Sequence, residues 1–405
     1  MTDHTPGPRH VVIAGGGFAG LGAAYTLRAR LRPEDRVTLI EPSDRFIFAP
    51  SLVWAVLGRS LYHGSFVLDP ALRAHGIVYR RAAVRAVRVD EGVVVTDDGE
   101  IPYDRLIIAT GGRPDTAAIP GLAGEFGYAH WIGGEESALE ARTTLRGLSA
   151  DPGPVIIGAA QGATYFSGAY ELALALDTVL RRQGLRERVP LTFITAEPYL
   201  GELGFGQRAA QTTLAALFTQ RDIAYRTGVT IDRVGSHAVL LAGGESLPAR
   251  ASIIMPPFTG AVDIWKSAHL TDDRGIVPVN EHYQHVTHPA IYAAGVACSF
   301  DRPIPPLHDP RAPHTGYLAI RMGQAAAENV AASLGRGAPA RRPLPRVLDI
   351  RLLDGGSAGV LLASWGTRTL HNAAVHLPPV VAHTLKTAQE RYLVWRLRTG
   401  RVDLP

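Results

Sequence analysis

The first forty residues constrain this chain more than any other stretch. His10-Val11-Val12-Ile13-Ala14 is a short apolar run of the kind that forms a buried parallel strand. It runs straight into Gly15-Gly16-Gly17-Phe18-Ala19-Gly20, a G-x-G-x-x-G, and Leu21 to Leu27 then opens a helix. A second strand, Arg36 to Ile40, ends on Glu41. In that order each part has a physical job. Gly15 permits a tight turn, Gly17 lets the backbone approach a pyrophosphate, and Gly20 lets helix and strand pack closely. The helix N-terminus, with Phe18 and Ala19, offers free N–H groups to phosphate. Glu41, about 20 residues on, can accept hydrogen bonds from a ribose. Strand, glycines, helix, second strand and acid together predict a dinucleotide site.

A chain of 405 residues exceeds one ordinary core, and 46% hydrophobic with 19% charged residues describes a globular protein. A net charge of +4 on this length gives no case for nucleic acid, and no nucleic-acid module or metal-ligand set stands out. No apolar run approaches the ~18–20 residues of a spanning helix. The polar N-terminus leads directly into the first strand, so a cytoplasmic location is expected.

Two further segments point to FAD. Tyr103 to Ile108 is a buried strand ending in Ala109-Thr110-Gly111-Gly112, preceded by a hairpin turn at Asp97-Asp98-Gly99-Glu100. Ala290 to Ala294 is another strand, ending at Gly295-Val296, and Thr315-Gly316-Tyr317 enters a long helix through Ala331. The chain resembles the pyridine nucleotide–disulfide oxidoreductase superfamily, and within it the sulfide:quinone oxidoreductases and the flavin subunit of flavocytochrome c sulfide dehydrogenase. The stretches that carry this are Phe48-Ala49-Pro50-Ser51-Leu52-Val53-Trp54, Ala159 to Thr164 with Ala169-Tyr170-Glu171, Phe193 to Gly201, Ala312 to Tyr317, and Lys386 to Tyr392. The resemblance implies an α/β fold of two Rossmann-like dinucleotide-binding domains with a C-terminal helical segment. The expected divisions are 1–118 and 283–336 for the FAD domain, 119–282 for the second dinucleotide-like domain, and 337–405 for a C-terminal region. It implies that Gly15, Gly17, Gly20 and Glu41 hold the ADP half of FAD, that Pro50, Thr110, Gly111, Gly295 and Val296 line its middle, and that His314, Thr315 and Tyr317 lie near the flavin ring.

The family oxidises sulfide with redox cysteines beside the flavin, a relay that needs an attacking thiolate and a receiving sulfur. This chain has one cysteine, Cys298. Tyr165 stands at one family cysteine position, His130 falls approximately at another, and Arg351 replaces the third. Cys298 reads as a small buried hydrophobe. His314 takes the place of a family lysine and is expected to polarise the flavin edge. Tyr165 either donates a hydrogen bond to the substrate or fills the space the sulfurs left. Glu171 reads as a general base by family position, and Lys386 is retained at the family lysine. The basic runs Arg80-Arg81, Arg181-Arg182, Arg186 and Arg188 read as solvated faces.

The second Gly-rich turn, Gly158-Ala159-Ala160-Gln161-Gly162-Ala163, keeps only its first glycine, and a Cβ at Ala160 crowds a pyrophosphate. Glu197 is compatible with an NADH ribose. The segment from His383 to Arg398 reads as a helix mixing Tyr and Trp with Arg and Lys, which suits a membrane interface, or else docks on its own domain. Gln389 sits where relatives carry a quinone-stacking phenylalanine, and the chain stops at Pro405 before their second amphipathic segment. The expectation is an FAD-dependent oxidoreductase without the sulfur relay, taking electrons from a small-molecule donor to a quinone, at most weakly peripheral to the inner face of the membrane. The alternatives are an NAD(P)H:acceptor reductase and a non-catalytic FAD-binding scaffold or sensor.

Overall fold

The computed structural model describes residues 7–122, 127–204, 208–260, 263–305, 315–340 and 343–403. Five parallel strands form the first sheet, in the order Ile291–Ala293, Arg105–Ile108, His10–Ala14, Arg36–Ile40, Val78–Arg80. Apart from the half-buried edge strand Val78–Arg80, their residues are almost continuously apolar and buried, as a parallel sheet covered on both faces requires. The helices that matter for the site are α1 (Phe18–Arg30), α2 (Glu135–Gly147), α3 (Ser167–Arg182), α4 (Gly316–Ser333) and α5 (Pro379–Arg398).

A second parallel sheet runs Ala224–Arg226, Leu191–Thr195, Val155–Ala159, Ala251–Met255. Three antiparallel strands, Val347–Asp354, Gly359–Trp365 and His371–Leu377, precede α5. The α/β fold with two Rossmann-like sheets is therefore as expected. The hairpin predicted at Asp97-Asp98 joins strands Val93–Thr96 and Gly99–Pro102. The core beneath the first sheet also takes Trp265, Leu270, Val277 and Val279, while Leu52, Val53 and Val56 pack into the core of the second.

One basic residue is not a solvated face. Arg186 is buried, and it shares the fully buried carboxylate of Asp177 with Arg181 and Arg221. Spacing alone did not reveal that acid, which faces inward on α3.

Two glycines make the first turn possible. A Cβ on Gly15, whose φ is +111°, would lie 2.3 Å from the Ala109 carbonyl oxygen, and one on Gly20 would lie 1.9 Å from that of Gly15. The packing of α1 on α4 is equally tight. A Cβ on Gly323 would fall 2.0 Å from the Ala19 carbonyl oxygen, so α4 touches the backbone of α1 there. Propensity favours alanine over a mid-helix glycine by up to about 1 kcal/mol, but overpacking costs roughly 1–3 kcal/mol. Gly323→Ala is therefore expected to lower stability in urea unfolding and to reduce the flavin retained on purification. A neutral or stabilised variant would refute the contact.

Candidate functional site

A cavity of about 410 Å³ opens at the C-terminal ends of the first sheet's strands. This is where ligands bind in open α/β sheets. Three chain segments meet there. The turn into α1 contributes Gly17, Phe18 and Ala19, the loop after Arg105–Ile108 contributes Thr110 and Gly111, and the loop after Ile291–Ala293 contributes Gly295 and Val296. Glu41, Pro50, Thr315 and Tyr317 also line it. Gly15 and Gly20 do not line the wall; they shape the turn behind it.

The residues present fit FAD. Gly17 is the N-cap of α1, makes no side-chain cap, and a Cβ built on it meets nothing within 4 Å, so backbone N–H groups face open space. Thr110 Oγ1 is buried and lacks a hydrogen-bond partner among the described residues, so it is available to a ligand. Glu41 Oε2 accepts the Gly16 N–H at 2.8 Å and Oε1 that of Ser43 at 3.0 Å, which holds the carboxylate at the cavity edge. A second helix N-terminus, that of α4, also meets the cavity, with Thr315 Oγ1 accepting the Leu318 N–H at 3.2 Å. His314 lies outside the described residues.

The wall beyond these loops is polar and deeply placed. Tyr165, Ser167 and Glu171 come from the start of α3, Asp349 and Arg351 from the strand Val347–Asp354, and Lys386 and Gln389 from α5. The Lys386 ammonium, only 2% exposed, ion-pairs with both carboxylate oxygens of Glu171. Burial pushes the Glu171 carboxyl up to about 7 against the opposing pull of Lys386. Arg351 pairs with the buried Asp349, whose carboxyl burial raises to about 6. Burial and the nearby Glu171 raise the Tyr165 phenol, with Arg351 and Ser167 opposing, so it stays protonated at neutral pH. Tyr165, Glu171 and Lys386 are thus brought together on one wall of the cavity.

His130 is not with them. Its backbone pairs beside Ile253, and its ring meets Thr144 Oγ1 at 2.7 Å, away from the cavity. Neighbouring residues of an extended segment point to opposite sides, so Trp131 faces the cavity instead, edge-on to Phe258 at 5.8 Å. Trp131, Phe258, Ser167 and Asp349 were not singled out in the sequence. For Asp349 a signal existed, because period-two alternation sets it on the same face as Arg351.

Cys298 is buried, with Sγ 3.4 Å from the Gly295 carbonyl oxygen, and burial pushes its thiol up to about 12. It does not line the cavity.

The second sheet's turn is used internally. Gln161 Oε1 accepts the Ile231 N–H, and Gln161 Nε2 donates to the Ile231 carbonyl. Glu197 is buried and accepts from Tyr170 Oη at 2.7 Å, Thr195 Oγ1 at 2.8 Å and Leu203 N at 2.7 Å. An acid with three internal donors is turned away from a ribose.

On α5 the buried side carries Ala382, Lys386, Glu390, Val394 and Leu397, and the outer side exposes Val380, Val381, Leu385, Tyr392 and Trp395. No described helix is long and apolar enough to cross a membrane.

Residues 9–323 match the family described as pyridine nucleotide-disulphide oxidoreductase. The chain is 33% identical over 408 residues to sulfide-quinone reductase of Aquifex aeolicus, covering 97% of this chain and 92% of that protein. It is 29% identical over 299 residues to an NADH dehydrogenase-like protein of Mycobacterium tuberculosis, covering 70% of this chain and 72% of the relative. The crystal structure of the Aquifex aeolicus sulfide:quinone oxidoreductase superposes with a TM-score of 0.87 at 32% identity, over 97% of this chain and 92% of that one. A ferredoxin reductase from Rhodopseudomonas palustris, at 17% identity and a TM-score of 0.70, shares the fold over 88% of this chain and 82% of its own. Its glycine turns, its orphaned threonine and these likenesses agree: the chain belongs to the pyridine nucleotide-disulphide oxidoreductase family, as an FAD-dependent oxidoreductase.

Proposed function

We propose that this enzyme reduces its flavin without a cysteine–sulfur relay and passes the two electrons to a quinone. The observation that carries the reading is the cavity wall. Tyr165 and Arg351, aligned with relay thiols of the family, both line it, and the one cysteine lies behind it with a protonated thiol. A relay needs a thiolate, and neither a phenol nor a guanidinium forms a persulfide. The quinone half is supported by the relatives, among them sulfide-quinone reductase and a demethylphylloquinone reductase of Synechocystis. It is also supported by the apolar residues Ile350, Leu352 and Leu393 on the wall beside α5.

Bound FAD supplies the two-electron redox chemistry. The chain's own residues bind, orient and move protons. Backbone N–H groups at the N-terminus of α1 hold phosphate, Thr110 donates a hydrogen bond, and Trp131 with Phe258 excludes water from the inner face. Glu171 carries a proton at a pH where few carboxyls do, and Lys386 holds it in place, so the pair delivers a proton to the reduced acceptor. His314 is assigned the polarising role at the flavin edge. His130 is left a packing role beneath Trp131. The second domain's turn, with Gln161 and Glu197 engaged internally, argues against pyridine nucleotide as donor. The outer side of α5, with Arg391, Arg396 and Arg398 beside Tyr392 and Trp395, favours peripheral contact with the inner face of a membrane. The four-part division of the chain at residues 118, 282 and 336 is part of the same reading.

Anaerobic titration separates the readings. Oxidised quinone is expected to reoxidise the photoreduced bound flavin, whereas sulfide and NADH leave the oxidised flavin unbleached. Bleaching by sulfide as fast as in a cysteine-bearing relative would sink the relay-free reading, and rapid bleaching by NADH would favour a reductase for another acceptor. Photoreduced flavin that quinone does not reoxidise would favour a scaffold.

The proton role has a signed pH dependence. Glu171 is protonated below its raised value of about 7 and ionised above it, so quinone reduction falls as the pH rises through neutrality. Replacing Glu171 alone leaves an ammonium buried without its partner, at a cost of roughly 3–5 kcal/mol. The double variant E171Q/K386Q avoids this. Its steady-state profile is expected to be flat between about pH 6 and pH 8; a limb that survives assigns the proton elsewhere.

A further inference from the structure

Away from the flavin cavity, a surface cleft of about 480 Å³ gathers three guanidinium groups from three separate elements. Arg45 comes from the strand Arg45–Ile47, Arg59 follows the helix Leu52–Val56, and Arg142 belongs to α2. Arg142 reaches across to Gly58, where a built Cβ would sit 3.9 Å from its Nη2, and it forms no ion pair among the described residues. Its Nε is buried with no hydrogen-bond partner among them, and so is Nη1 of Arg59. The other terminal nitrogen of Arg59 is taken by Glu390 at 2.6 Å, and Arg45 donates to Ser65 Oγ at 2.8 Å. Glu135 is the one acid on the cleft wall. Converging like charges with buried unpaired donors call for an anion with several acceptor oxygens, which a phosphate supplies.

The rim carries the second clue. Tyr62 is 74% exposed and Leu139 43% exposed, and both line this same cleft. A soluble phosphate has no use for them, whereas a phospholipid presents its phosphate and its acyl chains together. The turn Leu61–Gly64 that carries Tyr62 packs against α5, so the cleft adjoins the helix whose outer side shows Val380, Val381 and Leu385.

We propose that this cleft seats the phosphate of an acidic phospholipid, with Tyr62 and Leu139 reaching toward the acyl side. The inference rests on the quinone reading, because a lipid-soluble acceptor requires the enzyme to meet a bilayer. It adds a headgroup site beside the C-terminal helix and makes attachment selective for anionic lipid.

The test uses the FAD-loaded full chain and sedimentation with vesicles of phosphatidylcholine alone or mixed with phosphatidylglycerol. Binding is expected only to the mixed vesicles, with release at high salt. R45Q/R142Q is expected to weaken it by about fivefold for each arginine removed. Flavin content and thermal unfolding check that the variant is folded, and Y62S provides an independent probe of the rim. Equal binding to phosphatidylcholine alone, or unchanged binding by R45Q/R142Q, overturns the proposal. Stabilisation of the wild type by millimolar inorganic phosphate, lost in R45Q/R142Q, would mark a free-phosphate site and overturn the lipid assignment. Quinone reduction in detergent is measured in parallel. If it stands while vesicle binding ignores the arginines, only the cleft inference fails; if it is absent, the quinone reading fails on its own.

Discussion

The contact between the backbones of α1 and α4 governs the site. These helices follow the strands His10–Ala14 and Ile291–Ala293, which are separated in the sheet by Arg105–Ile108. Packing them backbone to backbone at Gly323 brings both N-termini to one crevice, with Thr110 and Gly111 between them. Two positive dipole ends and the buried Thr110 hydroxyl then face the same volume. The pyrophosphate of a dinucleotide would satisfy that field at the N-terminus of α1. The polarity of the cavity therefore follows from sheet order and helix contact, before any catalytic side chain is considered.

The outer wall obeys a different logic. Glu171 with Lys386, and Asp349 with Arg351, are buried ion pairs, and desolvation offsets much of what such pairs gain. Apolar residues of similar volume would hold these elements together as well or better. Retaining two pairs in a cavity continuous with the flavin site makes sense if their protons and charges act on what binds there. The raised values of Glu171 and Asp349 follow from the same burial, and they put two carboxyls within reach of neutral pH.

This division explains what could be read from the sequence. The dinucleotide half was legible because local backbone demands, such as the turn at Gly15 and the strand ends at Thr110 and Gly295, write themselves into residue type. The wall was legible only through resemblance, since Tyr165, Arg351 and Lys386 lie far apart and meet by tertiary packing. An offset of a single residue in an extended segment was enough to exchange His130 for Trp131. Arg186 misled for a similar reason: its partner Asp177 looks like any helical acid until α3 is seen to bury it. Glu197 kept the residue type a ribose would need, but Tyr170, Thr195 and Leu203 claim both its oxygens. Residue type does not disclose which way a carboxylate is turned.

The terminal helix joins the two halves of this picture. On α5 the charged residues Lys386 and Glu390 point inward together with Ala382, Val394 and Leu397, while Val380, Val381, Leu385, Tyr392 and Trp395 are exposed. Its inner face is satisfied by partners on other elements, Glu171 for Lys386, and Ser51 with Arg59 for Glu390. Its outer groups are engaged too: His383 meets Asp354, Arg396 donates to the Arg401 and Asp403 carbonyls, and the Arg401 guanidinium lies over the Trp395 ring. The helix is held to the rest of the chain by these polar pairs and by the buried Val394 and Leu397. Any force that lifts or presses α5 also moves the Lys386 ammonium against Glu171. The Lys386–Glu171 pair therefore ties the terminal helix directly to the wall of the flavin cavity.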